Sequence, residues 1–379
     1  MRKPFRSEGQ GRRGPLPKTQ LRIEKFLRRE IAFGHYAPGE RLPDRKRLLA
    51  KFKANNDALQ SAFAALTADG FIRAVSGHGT HVAKELPFAN RYLLLLKRNP
   101  DDAGSGFFQK ALQTAAALVA RRRGIDFEAF DVADATFDSA EYDRVMDRVR
   151  RQLYRGVFAQ DITRTRDMDT VMNMDDVPMV VVDMLDVHSQ GKMVRELGGL
   201  RSLPAEFLSR CFAECREAGL RRVAVFAPEW SNGCGFGQVA KLAGSFGLEL
   251  VRNGFHTSRM EHWSPVQFER LAALFADSAA GSRAEAVVLA EDNFLEPFTA
   301  ALLARHSRAE AARKYRLFSW GNFPCCPESR LPVTFHGADW ERTLDGFVDY
   351  VEAVRTEAKR APVPVVAVDW GVQTTGKHA

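Results

Sequence analysis

The chain has 379 residues, 45% of them hydrophobic and 27% charged, with a net charge of +8. That composition suits a globular protein of two or three domains, and no apolar run is long enough to cross a bilayer, so a membrane partner is not expected. The N-terminal stretch lacks the apolar core of a secretory signal, and the five cysteines form no CxxC pair, which together point to a reducing cytoplasm. Cys211 and Cys215 with scattered histidines offer only a poor metal-ligand set. No metal or other cofactor is expected.

The positive charge is unevenly placed. Residues 1–86 hold 18 Lys and Arg against 8 Asp and Glu, a net of +10, whereas the remainder nets −2. An excess confined to one quarter of the chain fits a polyanion partner for that part, because neutralising phosphates releases condensed counterions. Residues 1–18 (MRKPFRSEGQGRRGPLPK) read as a flexible basic arm. From Thr19 to Phe33 the spacing of Ile23, Phe26, Leu27 and Ile31 predicts an amphipathic helix stopped by Gly34 and Pro38. Asp44 then caps a second helix that buries Leu48, Leu49 and Phe52. Asn55 caps a third, with Leu59, Ala62, Phe63 and Leu66 on its inner face and Gly70 at its end. Short strands flank Ser76-Gly77-His78-Gly79. Three helices and a hairpin within about seventy residues make a winged helix-turn-helix, whose third helix lies in the major groove.

The stretch HYAPGERLPDRKRLLAKFKANNDALQSAFAALTADGFIRAVSGHGTHVA resembles the GntR-type winged helix over residues 19–84. It shares a leading Pro-Gly-x-x-Leu-Pro, a recognition helix ending in Leu-x-x-x-Gly, and the wing Gly-x-Gly-Thr-x-Val from Gly77 to Val82. The resemblance implies DNA contacts from Arg45, Lys46, Arg47, Asn55, Asn56, Gln60, His78 and Gly79. Where the family has Ser-Arg-Thr-Thr, this chain has Asn55-Asn56-Asp57-Ala58, and Gln60 stands in place of an Arg. Asn and Gln pair bidentately with adenine, whereas Arg favours guanine. Asn55 alternatively serves only as a cap, and Gly77 and Gly79 supply tight backbone beside His78.

Residues 85–90 read as a linker. From 91 to 360 short apolar runs alternate with amphipathic segments, implying parallel sheets flanked by helices; about 270 residues of this fit two lobes better than one. The runs are Tyr92–Leu96, Phe127–Val132, Gly156–Ala159, Val177–Asp183, Arg222–Ala227, Glu249–Val251, Ala286–Leu289 and Arg316–Trp320, with helices such as Phe108–Arg122 and Glu141–Tyr154 between them. Residues 361–379 read as a C-terminal tail.

The order of NPDDAGSGFFQKALQ, VPMVVVDM, AGLRRVAVFAPEWSNGCGFG, AEAVVLAEDNFLEP and RLFSWGNF resembles the LacI-type effector domain, itself similar to periplasmic sugar-binding proteins. The expected fold is therefore α/β, an N-terminal winged helix-turn-helix followed by a two-lobed periplasmic-binding-protein-like domain. The resemblance implies a ligand cleft lined by Phe107, Phe108, Asp183, Trp230, Asp292, Trp320 and Asn322. Aromatic faces stack on sugar rings while carboxylates and amides bond hydroxyls, and strand carboxyl ends are where such sheets hold ligands. One of Phe107 and Phe108 is expected in the core, and Asp292 alternatively caps the next helix. An Arg that grips ligand oxygens in the family falls at Gly235, which favours a neutral sugar over a sugar phosphate.

The function implied is a transcription regulator, a repressor in type, that binds double-stranded operator DNA as a homodimer and answers to a small molecule. The chain carries no Walker loop, HExxH, Gly-x-Ser-x-Gly elbow or Rossmann glycine triplet. A carbohydrate-modifying enzyme fused to a DNA-binding domain is the alternative.

Overall fold

The computed structural model describes residues 18–96, 106–131, 140–160, 176–182, 194–198, 203–229, 235–259, 263–356 and 366–375. Helices α1 (Lys18–Ala32), α2 (Arg45–Phe52) and α3 (Asn56–Ala68) precede a hairpin of β1 (Ile72–Val75) and β2 (Gly79–Val82). Both predicted caps form: Asp44 Oδ1 accepts from the Arg47 amide at 2.8 Å, and Asn55 Oδ1 accepts from the Ala58 amide at 2.9 Å. The antiparallel pairing Ile72↔Val82 through Val75↔Gly79 leaves Ser76–His78 at the tip, where Gly77 and Gly79 take φ of 72° and 92°. Such angles strain any residue with a Cβ, so the two glycines are backbone requirements of the wing. The basic arm, residues 1–17 of the predicted 1–18, lies outside the described residues.

Two sheets follow. The first is built from β3 (Arg91–Leu96), β4 (Asp126–Asp131), β5 (Gly156–Gln160), β6 (Met179–Val182) and β7 (Val194–Glu196), in the order β4-β3-β5-β6-β7 and parallel throughout. Helices α4 (Gly106–Arg123) and α5 (Ala140–Arg150) belong to this lobe. The α5 helix stops short of the expected Tyr154 because Gln152 turns left-handed at φ 56° and the Leu153 amide closes back on Arg148 O at 3.0 Å.

Helix α6 (Leu203–Glu217) leads into the second sheet, made of β8 (Arg222–Pro228), β9 (Glu249–Ser258), β10 (Ala286–Leu289), β11 (Arg316–Phe323), β12 (Val333–Asp339) and β13 (Asp369–Thr375). Its order is β13-β12-β11-β10-β8-β9, parallel except for the β12–β13 pair. Between these strands run α7 (Phe236–Ser245), α8 (Pro265–Ala276), α9 (Ala279–Arg283), α10 (Leu295–Leu303) and α11 (Arg308–Lys314). Helix α12 (Trp340–Thr356) leaves β12 and packs on the first lobe. A Cβ on Gly156 would sit 2.5 Å from Val351, so the bare glycine lets α12 lie directly on β5.

Apart from β7, β12 and β13, the two sheets share one connectivity: the first strand is flanked by the second on one side and the third on the other. This switch point opens a crevice at the strand carboxyl ends of each lobe. The chain crosses between lobes before α6, before α12 and before β13. Residues 361–379 are therefore not simply a tail: Asp369–Thr375 form the antiparallel edge of the second sheet, from Asp339↔Asp369 to Val333↔Thr375. The linker 85–90 is likewise packed, with Phe88 1% exposed in an apolar cluster that runs from Ile23 and Leu27 of the winged helix to Tyr92, Phe158 and Phe347 of the first lobe.

Candidate functional site

The first surface is the outer face of α2 and α3. Arg45, Lys46, Arg47, Asn55, Asn56 and Gln60 are all exposed there, and His78 and Gly79 are exposed on the wing. Asn55 spends its side-chain oxygen on the cap, so that atom already has a donor. Arg45 and Gln60 are joined: both terminal nitrogens of Arg45 donate to Gln60 Oε1 at 2.9 Å. Arg45 thus occupies the Gln60 side-chain acceptor, leaving the Gln60 amide only its donor for other partners. Sequence spacing gave no sign of this link, because the partners lie fifteen residues apart. Arg41 is a further exposed cation that it missed. A Cβ on Gly79 would stand 3.1 Å from Arg41 Nε, which puts this guanidinium against the wing.

The second surface lies where the lobes meet at strand carboxyl ends. Glu291, Asp292 and Asn293 follow β10, and Asn322 lies near the end of β11. Asn322 Nδ2 donates to Asp292 Oδ2 at 2.8 Å, and Asn322 Oδ1 accepts from Trp340 Nε1 at 3.0 Å. The Asn293 amide donates to Glu291 Oε1 at 2.7 Å and to Asp292 Oδ1 at 3.1 Å. Burial raises the pKa of both carboxyls, that of Glu291 far above the usual range because the charge of Asp292 adds to the effect. The bonds from Asn293 and Asn322 act against that rise by stabilising the charged forms.

From the first lobe, Phe108 meets Trp340 edge-on with centroids 4.8 Å apart. Phe108, Trp340, Asn322 and Asp292 thus form one contact chain across the lobes. Asp292 does not cap the helix that follows, as the alternative reading expected: it is the first residue of a 3-10 turn whose cap position is Glu291, Phe294 holds the cap position of α10, and the Asp292 oxygens are taken by the Asn322 and Asn293 side chains. Phe107 is half-buried at the start of α4. Trp320 packs between Phe207 and Trp370, at 5.5 and 5.8 Å, an aromatic cluster of the second lobe. Asp183 and Trp230 lie outside the described residues. The sequence reading missed Glu291 and Trp340; the acidic pair Glu291-Asp292 at a strand end was the available signal for the first. Among the described residues no group of three or more His, Cys, Asp and Glu is placed to hold a metal, and no helix is long and apolar enough to cross a membrane.

Fold and surfaces together define a winged helix-turn-helix, the build of a bacterial DNA-binding regulator, mounted on a two-lobed α/β body. Residues 19–82 match the model of the bacterial regulatory proteins of the gntR family. A search of curated proteins returned no match. Among solved structures, the transcriptional regulator CelR in complex with cellobiose is similar at a TM-score of 0.53 and 13% identity, over 93% of this chain and 98% of that one. A LacI family transcriptional regulator from Bifidobacterium animalis subsp. lactis is similar at 0.53 and 11% identity, over 77% and 97%. The Escherichia coli transcriptional repressor ascG is similar at 0.51 and 11%, over 75% and 97%. At these identities the likeness is one of fold, and nothing in it favours the enzymatic alternative.

Proposed function

We propose that this chain regulates transcription as a cytoplasmic homodimer, binding operator DNA through α2, α3 and the wing, and responding to a neutral sugar between its lobes. What supports the reading is the pairing of an exposed basic and amide face on the winged helix with a largely buried carboxyl and amide cluster, Glu291 at its edge, at the strand ends of the body. Lys46 and Arg47 contact phosphate, and Asn56 and Gln60 contact base edges once Arg45 swings from Gln60 to the backbone. A dimer supplies the second half-site that one winged helix cannot read. In the cleft, Asp292 and Glu291 accept and donate to hydroxyls, Phe108 and Trp340 offer aromatic faces, and Phe107, Asp183, Trp230 and Trp320 complete the lining expected from the sequence. A neighbour of the same fold holds cellobiose, which supports a polyhydroxylated ligand of that kind. Selection of binding sites from random duplex DNA tests the first half. The expected result is an adenine-containing palindrome whose preference relaxes in Gln60→Ala; recovery of no preferred site would contradict it. Calorimetry with neutral sugars against their phosphates tests the second, with tighter binding of the phosphates as the contrary result.

A further inference from the structure

Domains joined by a short linker ordinarily move against one another unless their interface is large and apolar. Here the recognition helix itself is tied to the first lobe. Asp69, the C-cap residue of α3, has only 5% of its side chain exposed and accepts from two arginines. One is Arg28 of α1, in the same domain; the other is Arg151, just after α5 in the first lobe. Arg28 crosses in the other direction too, donating from Nη1 to the backbone oxygen of Arg151 at 3.0 Å, while its guanidinium covers the Phe71 ring at 4.9 Å. At the rim Lys25 meets Asp176 of the first lobe at 2.8 Å.

A second lock lies beside the first. Arg355, near the end of α12 and 2% exposed, donates to the backbone oxygens of Arg155 at 2.8 Å and Tyr154 at 3.3 Å. Its guanidinium plane lies 5.0 Å from Phe33, at the end of α1, and 5.3 Å from Phe88 of the linker. Winged helix, linker and first lobe therefore converge on one buried cation. The same α12 begins at Trp340, in the contact chain across the cleft, and is clamped to the first lobe by Glu352, which accepts from Tyr92 at 2.8 Å and from Arg155.

We propose that the winged helix and the first lobe are one rigid body, locked at Asp69 and at Arg355, so that a change of angle between the lobes reaches the recognition helix without any hinge in the linker. This deepens the regulatory reading, but the rigidity is a property of the chain alone and is tested without DNA or ligand. Hydrogen exchange on the full chain is the experiment, because it reports the opening of each segment separately. In the wild type, linker amides such as that of Ala89, which donates to Leu86 O, should exchange as slowly as β3. Arg151→Ala, a change at a half-exposed side chain, should speed exchange of the linker and of the end of α1 by about tenfold or more, since it removes the two charge-assisted hydrogen bonds that Arg151 Nε and Nη2 donate to Asp69. Exchange in α2, β1 and β2 should stay at the wild-type rate, which separates undocking from unfolding. Asp69→Asn should act in the same direction and more strongly. Wild-type linker amides exchanging at the rate of a free peptide would overturn the proposal. So would unchanged linker exchange in Arg151→Ala. Neither result would touch the assignment of DNA binding to the winged helix.

Discussion

Replacing Asn322 with alanine removes the amide that joins the two halves of the cleft cluster. In the wild type it donates to the buried Asp292 at 2.8 Å and accepts from Trp340 at 3.0 Å, with Asp292 1% and Asn322 5% exposed. Water has little access to replace either bond. A hydrogen bond to a charged group contributes about 1.5–3 kcal/mol, and leaving a buried N–H unsatisfied costs about 1–3 kcal/mol. Asn322→Ala should therefore destabilise the second lobe by about 3–5 kcal/mol. Urea unfolding followed by tryptophan fluorescence measures this, as a fall in midpoint at constant slope. Trp340→Phe removes the indole donor alone and orphans the Asn322 oxygen, so the two changes share one bond. Their combined effect should fall short of the sum by about 0.5–3 kcal/mol. A loss below about 1 kcal/mol for Asn322→Ala, or strict additivity in the double variant, would refute the reasoning, since a solvated, loosely held amide would behave that way.

Three further outcomes follow from the same geometry. Glu291 keeps its proton to a higher pH in the folded chain than at the ordinary glutamate value of 4.5, so the native state binds more protons and this group's contribution to stability falls as pH rises above that value. Across about pH 5 to 8 the wild type should lose stability relative to Glu291→Gln, and parallel pH profiles for the two proteins would contradict this. Gly156→Ala drives a methyl to within 2.5 Å of Val351, and should cost about 1–3 kcal/mol by chemical unfolding; a neutral result would mean that α12 is not seated on β5. Arg45→Ala frees the Gln60 oxygen, so it should change site preference in a selection from random DNA as well as lower affinity; a uniform loss across all sequences would show that the Arg45–Gln60 bond has no part in recognition.

Much of the fold was legible because its signals are local. The caps at Asp44 and Asn55, the Gly77 and Gly79 pair, and apolar runs such as Ala286–Leu289 act within a few residues, and the structure returns them in place. What escaped depended on distant partners. Strand β9 continues to Ser258 past the expected Val251 because its pairing with β8 shifts register between Val223 and Val225, and Asn253 at φ 59° breaks the alternation. Strand β13 has a polar sequence and owes its place to antiparallel bonding with β12. The buried roles of Asp69, Arg151 and Arg355 were illegible for the same reason, since charged residues in sequence read as solvated surface until the fold supplies both partner and cover. At the cleft, residue types pointed to Asp292 and Asn322, but only the fold brought Trp340 and Glu291 to them.

The central claim is that DNA binding by the winged helix is set by what the two lobes hold. The direct measurement is the affinity of the full chain for its selected operator, by fluorescence anisotropy at fixed salt, titrated with a panel of neutral mono- and disaccharides and their phosphates. At least one neutral sugar should shift the dissociation constant by about fivefold or more, as a coupling near 1 kcal/mol requires, with no comparable shift from the phosphates. An operator affinity that no sugar moves, or that only a sugar phosphate moves, would contradict the account.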